Sequence, residues 1–350
     1  MLNSTTPHPH HSDAVRSPRP HRKLWRRVLH RAGWTAAILL AIVLGVKVAD
    51  LAMTAQERSA IPAPGVLVDV GDGMMHVASS GSGAQTIVLI PGLGTSSPYY
   101  DFQPLVDSLA KSARVVVVEP FGYGWSDSND RPMTLSNVAL DIHDALIGAG
   151  VPGPYVIAAH SIGGLYAQQF ATDFPADTAA VIGLDPTLPR AQDFAPKTSD
   201  STIEAPIPAY LGWATAMGWA RPIQLALGQD PQLTSGAASA DGYSRSNLAA
   251  QQMFTNWTGL SRNVMDQSAR VPESVLDAAE LEFPADTPVL LFITAEHGEP
   301  PAWLQRAAAD YVAASTLTRI VPVNAGHYLH HTKSTEIAAE IQSFLAAHGR

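Results

Sequence analysis

The segment Tyr155-Val156-Ile157-Ala158-Ala159-His160-Ser161-Ile162-Gly163-Gly164-Leu165-Tyr166 joins a short apolar run to His, Ser and two glycines, and then to residues suited to a helix. That order predicts a strand, a sharp turn and a helix, with Ser161 at the apex. In such a turn the serine is held in a strained backbone conformation and its hydroxyl stands above the sheet. Ser161 is therefore the candidate nucleophile. Ala159 occupies the first small position of the turn, where glycine is usual; a methyl group there is crowded but tolerable.

A serine hydroxyl is a weak nucleophile until a base takes its proton, and the base needs a carboxylate to fix its tautomer. Val323-Asn324-Ala325-Gly326-His327-Tyr328 places a histidine in a loop between a strand and the last helix, so His327 is the candidate base. His330 and His331 share that loop, as they would on a histidine-rich surface. For the acid, Gly183-Leu184-Asp185-Pro186 presents Asp185 at a strand end, with Glu296 and Glu299 in reserve after a later strand. An oxyanion needs backbone N–H donors, each worth about 3 kcal/mol. Ile162 offers one, and Pro91-Gly92-Leu93-Gly94 offers another from Leu93.

Other chemistries find less support. The chain has no cysteine, which excludes thiol catalysis, disulfides and thiolate metal sites. No Gly-Lys-Ser/Thr or dinucleotide spacing accompanies the glycine-rich loops, and His8, His10 and His11 lie in a polar tract without other ligand types. Neither a cofactor nor a metal is expected.

The residues around these positions alternate between strand and helix signals. Val66 to Val70 and Met74 to Ala78 flank the turn Gly71-Asp72-Gly73 as a hairpin, and buried strands follow at Thr86 to Ile90 and Arg114 to Val118. Helices are predicted over Pro98 to Ala110 and Thr134 to Ile147. After the strand Ala180 to Leu184 the alternation stops. Residues 187–285 read as an inserted helical cap, in which Trp213, Met217 and Trp219 are candidates to line an apolar substrate pocket. Strands at Thr287 to Ala295 and Thr318 to Val323, each followed by a helix, close the pattern. The expected fold is α/β: a mostly parallel eight-stranded sheet with helices on both faces, whose chemistry sits at the C-terminal strand ends. Its two parts are 66–186 and 286–350.

Ahead of this body lie a Pro/His/Ser-rich tail and a basic cluster; residues 1–31 hold seven basic side chains against Asp13 alone. With a whole-chain net charge of -9, the body is acidic, so no nucleic-acid partner is expected. An apolar stretch follows, and 32–54 reads as a transmembrane anchor with 55–65 as a linker. The positive flank predicts a cytoplasmic N-terminus and an extracytoplasmic catalytic domain at the cell membrane; secretion after signal cleavage is the alternative.

From Val66 to Gly349 the order of oxyanion loop, Phe121-Gly122-Tyr123-Gly124-Trp125-Ser126 loop, serine turn, cap and terminal histidine resembles the alpha/beta-hydrolase superfamily, and within it the cap-bearing serine hydrolases. Gly-Leu-Asp-Pro is similar to the acid-bearing segment of pancreatic-type lipases, which implies Asp185 as the acid. Members that open epoxides or remove halides carry Asp where this chain has Ser161. The resemblance implies hydrolysis of a small-molecule ester through Ser161, His327 and Asp185. An aminopeptidase or amidase, a cofactor-free perhydrolase, and a catalytically silent ligand-binding homologue are the alternatives on the same frame.

Overall fold

The computed structural model describes residues 21–197, 205–227, 242–295 and 298–348. In chain order its elements are α1 (His21–Ala60), β1 (Val66–Asp69), β2 (Met74–Ser80), β3 (Thr86–Ile90), α2 (Pro98–Asp101), α3 (Gln103–Leu109), β4 (Arg114–Glu119), α4 (Leu135–Gly148), β5 (Tyr155–His160), α5 (Gly163–Asp173) and β6 (Thr178–Leu184). There follow α6 (Ala191–Phe194), α7 (Ala209–Ala216), α8 (Ala220–Leu227), α9 (Arg245–Thr258), α10 (Arg262–Ala279), β7 (Val289–Thr294), α11 (Ala302–Tyr311), β8 (Thr318–Val323), α12 (Leu329–Thr332) and α13 (Ser334–His348).

Side chains on a strand point alternately to the two faces, so a strand that is apolar at every position must be covered on both. β3 and β5 show this directly. Val88, Ile90, Ile157 and Ala159 pack with α4, α5 and α10, whereas Ile87, Leu89, Val156 and Ala158 pack with α3 and α13. The sheet has eight strands in the order β1-β2-β4-β3-β5-β6-β7-β8. β1, β2 and β4 pair antiparallel, and every pairing from β4 through β8 is parallel. Parallel neighbours require crossover helices, which is why helices lie on both faces. The fold expected from the sequence is the fold observed.

Two of the boundaries that differ from expectation have a clear cause. The helix expected over Pro98 to Ala110 divides at Phe102 into α2 and α3, where Pro104 supplies no N–H to a continuous ladder. Residues 55–65 are not a free linker: α1 continues to Ala60, and the Trp125 indole donates to the Ile61 carbonyl at 3.2 Å. Met1–Val48 forms a unit apart from Ala49–Arg350. Within α1, Leu24–Ala60 is long and apolar enough to cross a membrane, and its most apolar stretch is unburied. Between β6 and β7 the described elements are all helices, three of which follow α6 and α7 as α8, α9 and α10. Ser244 and Ser261 cap α9 and α10 by accepting the N–H of Asn247 and Val264.

Candidate active site

Ser161 stands between the end of β5 and the start of α5 with φ +54°, and Asp185 follows β6 with φ +47°. Among the described residues these are the two non-glycine positions in the left-handed region. Each costs about 1–2 kcal/mol of backbone strain, and such strain collects at functional sites. The surrounding hydrogen bonds hold both in place. The Ser161 N–H donates to the Leu184 carbonyl at 3.3 Å, the Thr187 N–H donates to the Ser161 carbonyl at 2.9 Å, and the Asp185 N–H donates to the Phe292 carbonyl at 2.9 Å. Gly163 is required at the turn, because a Cβ there would lie 2.7 Å from the Pro91 carbonyl oxygen. That contact brings the Pro91–Gly94 loop against the serine turn.

The Asp185 carboxylate has both oxygens engaged. Oδ1 accepts the Thr294 N–H at 2.9 Å and Oδ2 accepts His327 Nδ1–H at 2.7 Å. A carboxylate only accepts, so this bond fixes the His327 tautomer and leaves Nε2 with a free lone pair. Ser161, Asp185, His327, Leu93 and Ile162 line one cavity of about 240 Å³. No hydrogen bond joins Ser161 Oγ to His327 among those of the described residues; such bonds are often long in unliganded sites and tighten with substrate. The N–H groups of Leu93 and Ile162 likewise make no hydrogen bond among those of the described residues, and both belong to the cavity's lining. The Leu93 loop is fixed from behind. Buried Tyr123 accepts the Gly94 N–H at 3.1 Å and donates to Gln267 Oε1, whose amide donates to Tyr166 Oη at 2.8 Å.

The structure thus brings together Ser161, His327, Asp185, Leu93 and Ile162, all singled out from sequence. It does not bring Trp213, Met217 and Trp219 to the same cavity: Trp213 is exposed, and the other two are half-buried elsewhere in the insertion. The apolar wall is made instead by Leu188, Val271, Val275, Trp303 and Leu304. Glu296 lies outside the described residues, and Glu299 is exposed.

A sequence model of the alpha/beta hydrolase family matches residues 87–340. The chain belongs to that family. Among curated proteins it is similar to the uncharacterized protein YbdG of Bacillus subtilis (strain 168), at 30% identity over 155 residues, 44% of this chain and 48% of that one. The chain spans half or less of the length of the first curated relatives it matches. Among solved structures, the enol-lactonase from Burkholderia xenovorans LB400 aligns with a TM-score of 0.58 at 16% identity, over 80% of this chain and all of that one. Cfl2 from Burkholderia cenocepacia aligns with a TM-score of 0.58 at 20% identity, over 79% of this chain and 94% of that one. At these identities the likeness is one of fold.

Behind the cavity this alpha/beta hydrolase carries a second polar cluster that the sequence did not announce. His330 and His331 are buried rather than on a surface, and their Nε2 atoms meet Asp101 Oδ2 and Oδ1 at 2.7 and 2.8 Å. The ligand atoms of these three residues lie within 4.8 Å of one another, which is the geometry a metal ion could use, but both carboxylate oxygens already accept a ring N–H. The cluster ties α12, just beyond His327, to α2. His160, also buried, donates Nε2–H to the His327 carbonyl at 3.0 Å and packs its ring 4.6 Å from the His327 ring. Asp101 lies far from its partners in sequence, so no local pattern could have revealed the pairing.

Burial, with the neighbouring His330 and His327, holds the His160 imidazole well below its ordinary pKa, and burial pushes His330 down as well. Burial opposes the charge on Asp101, yet the His331 and His330 rings hold its carboxyl below the usual carboxylate range. Below about pH 6.5 the unfolded chain takes up more protons at these two histidines than the folded chain does, so stability falls as pH drops. Asp101 adds its own loss only below about pH 4. Unfolding free energy should therefore decline as pH falls below about 6.5, with His160 contributing up to about 1.4 kcal/mol per pH unit and His330 adding in the same direction. Denaturant titrations at several pH values check this. A His160→Leu variant should show a shallower slope, and an equal slope in both proteins would count against the assignment.

Proposed function

We propose that this alpha/beta hydrolase is a membrane-anchored serine hydrolase that cleaves carboxylic esters of small or hydrophobic substrates through an acyl-enzyme. The observation that carries the reading is the pair of strained residues, Ser161 and Asp185, lining one cavity with the histidine that Asp185 holds. In the reaction, Ser161 Oγ attacks the acyl carbonyl carbon while His327 Nε2 takes the hydroxyl proton. The oxyanion is stabilised by the N–H groups of Leu93 and Ile162 at the N-terminal end of α5, where the helix dipole also favours negative charge. His327 then returns the proton to the leaving alcohol. Water, activated by the same histidine, releases the acid. Asp185 stabilises the imidazolium that forms in each half-reaction.

Leu188, Val271, Val275, Trp303 and Leu304 suit an apolar acyl or alcohol group, and the insertion 187–285, which supplies Val271 and Val275, acts as the cap over that group. The core is 66–186 with 286–350. α1 is an uncleaved anchor with the basic segment on the cytoplasmic side. A secretory signal can pass the same test of length and composition, but no clean small-x-small cleavage site follows Val48, which supports retention.

The full chain in nanodiscs, offered p-nitrophenyl esters of increasing acyl length and a set of aminoacyl anilides, tests the reading. Each added methylene buried in the cavity should raise kcat/KM about fourfold until the cavity is full, from about 0.8 kcal/mol per methylene. A preference for acetate would remove the apolar acyl site, and faster cleavage of the anilides would make the enzyme an amidase instead.

A further inference from the structure

α7 is an eight-residue helix without a charged residue, and none of its residues is buried. Tyr210 is 68% exposed and Trp213 66%; three residues apart, they share one helix face. The helix is seated by another side. At Gly212 a Cβ would come within 2.8 Å of Met265 Cγ, so the backbone of α7 rests closely on α10 and turns its aromatic face outward. An uncharged helix with two large rings in water is an exposed apolar patch, and such patches mark contact surfaces. Tyr and Trp combine an apolar body with a polar tip, the combination enriched where a bilayer meets water.

Chain connectivity links this patch to the end of α1. α8 begins four residues after α7 ends, and its second residue, Arg221, is clamped to the end of α1. Arg221 Nη1 and Nη2 meet the two Glu57 carboxylate oxygens at 2.8 and 2.6 Å, Nη2 donates to Thr54 Oγ1 at 3.0 Å, and Nε meets Asp50 Oδ1 at 3.1 Å. The Trp257 indole donates to Glu57 at 2.7 Å, and the Arg58 guanidinium lies 5.3 Å from the centre of a Trp257 ring. Bidentate, largely buried Arg–carboxylate pairing of this kind is geometrically specific. Asp50 is two residues beyond Val48. Two residues span at most about 7 Å, so the chain leaves the apolar stretch close to α8, whatever the direction of that stretch.

We propose that the α7 face carrying Tyr210 and Trp213 is a docking surface for the headgroup–acyl boundary of the bilayer that α1 enters. The inference rests on α1 being a membrane anchor and adds a second, reversible contact to it. Arg221 holds α8, and through the short turn Met217–Trp219 also α7, at the membrane surface. Met265, against which α7 packs, belongs to the same helix as Val271 and Val275 of the cavity wall.

The test uses the full chain in phosphatidylcholine nanodiscs prepared with and without bromine on the upper part of the acyl chains, which quenches nearby tryptophan. Difference spectra against Trp213→Phe isolate Trp213, and against Trp34→Phe isolate a tryptophan of the apolar stretch. Quenching of both is the expected result, with the Trp213 signal diminished when Arg221→Gln loosens the clamp. Quenching of Trp34 alone overturns the docking surface and leaves the anchor standing. Failure to quench either removes the anchor and the docking surface together. Trp213 unquenched in a particle that sediments as a dimer would assign the patch to a second copy of the chain and likewise overturn the proposal.

Discussion

Ser161→Ala should lower kcat for ester hydrolysis by about 10⁶-fold, the scale seen when a triad serine is removed, equivalent to about 8 kcal/mol of transition-state stabilisation. Labelling by an organophosphonate probe should vanish with it. Both readouts follow from one atom. Without Oγ there is no acyl-enzyme, and what remains is substrate held near two N–H donors and a histidine that can at best direct water. The fold should survive, since Ser161 contributes backbone bonds to Leu184 and Thr187 that alanine also makes. Backbone strain supplies a second, independent readout. Ser161 sits at φ +54°, where a Cβ costs about 1–2 kcal/mol, so Ser161→Gly should be inactive yet more stable than the parent by what remains, about 1 kcal/mol or less, after glycine's greater unfolded-state entropy takes back about 0.4–1 kcal/mol. Activity in Ser161→Ala within tenfold of the parent would show that the nucleophile lies elsewhere. A Ser161→Gly variant less stable than Ser161→Ala would mean that the turn is not the strained element described.

What the sequence made legible was local. Apolar runs with β-branched residues marked the central strands β3 to β7, which are covered on both faces and so apolar at nearly every position, while β1 and β2 were legible from the turn between them. The serine turn was readable from six consecutive residues, and Ala159 proved compatible with it: its methyl is buried among the α4 and α5 side chains, and its registered neighbour on β6 is Gly183. Asp185 and His327 were legible because each follows a strand at its C-terminal end. The cavity wall was not. Val271 and Val275 sit on α10 and Trp303 and Leu304 on α11, where they follow the ordinary pattern of core-facing helix positions. Trp213 was misplaced for the complementary reason: composition says that a residue is apolar, not whether protein or something else covers it. Residues 55–65 looked like a linker for want of hydrophobic pattern, yet the end of α1 is held by Arg221 and Trp257, which lie more than 150 residues away. The burial of His330 and His331 was not legible in their loop because a buried histidine needs a partner, and theirs is the distant Asp101.

Asp185→Asn is the variant that tests the division of labour within the site, and it should reduce kcat by about 10⁴-fold. The present carboxylate accepts His327 Nδ1–H and so leaves Nε2 unprotonated toward the serine. An asparagine amide turned toward the ring donates instead, which places the imidazole proton on Nε2, where it cannot receive the one from Ser161; it also offers no charge to balance the imidazolium. Stability should change little, because asparagine tolerates the left-handed backbone at this position and its amide oxygen can still accept the Thr294 N–H. Unfolding midpoints of parent and variant measured beside kcat separate the two effects. KM should move far less than kcat, since Asp185 acts on the histidine and the loss belongs to the transition state. Glu296→Gln, made in parallel, decides between the two candidate acids. Should it carry the ten-thousandfold loss while Asp185→Asn stays active, the strain and the hydrogen bonds at Asp185 would be structural, and the orienting carboxylate would come from the end of β7.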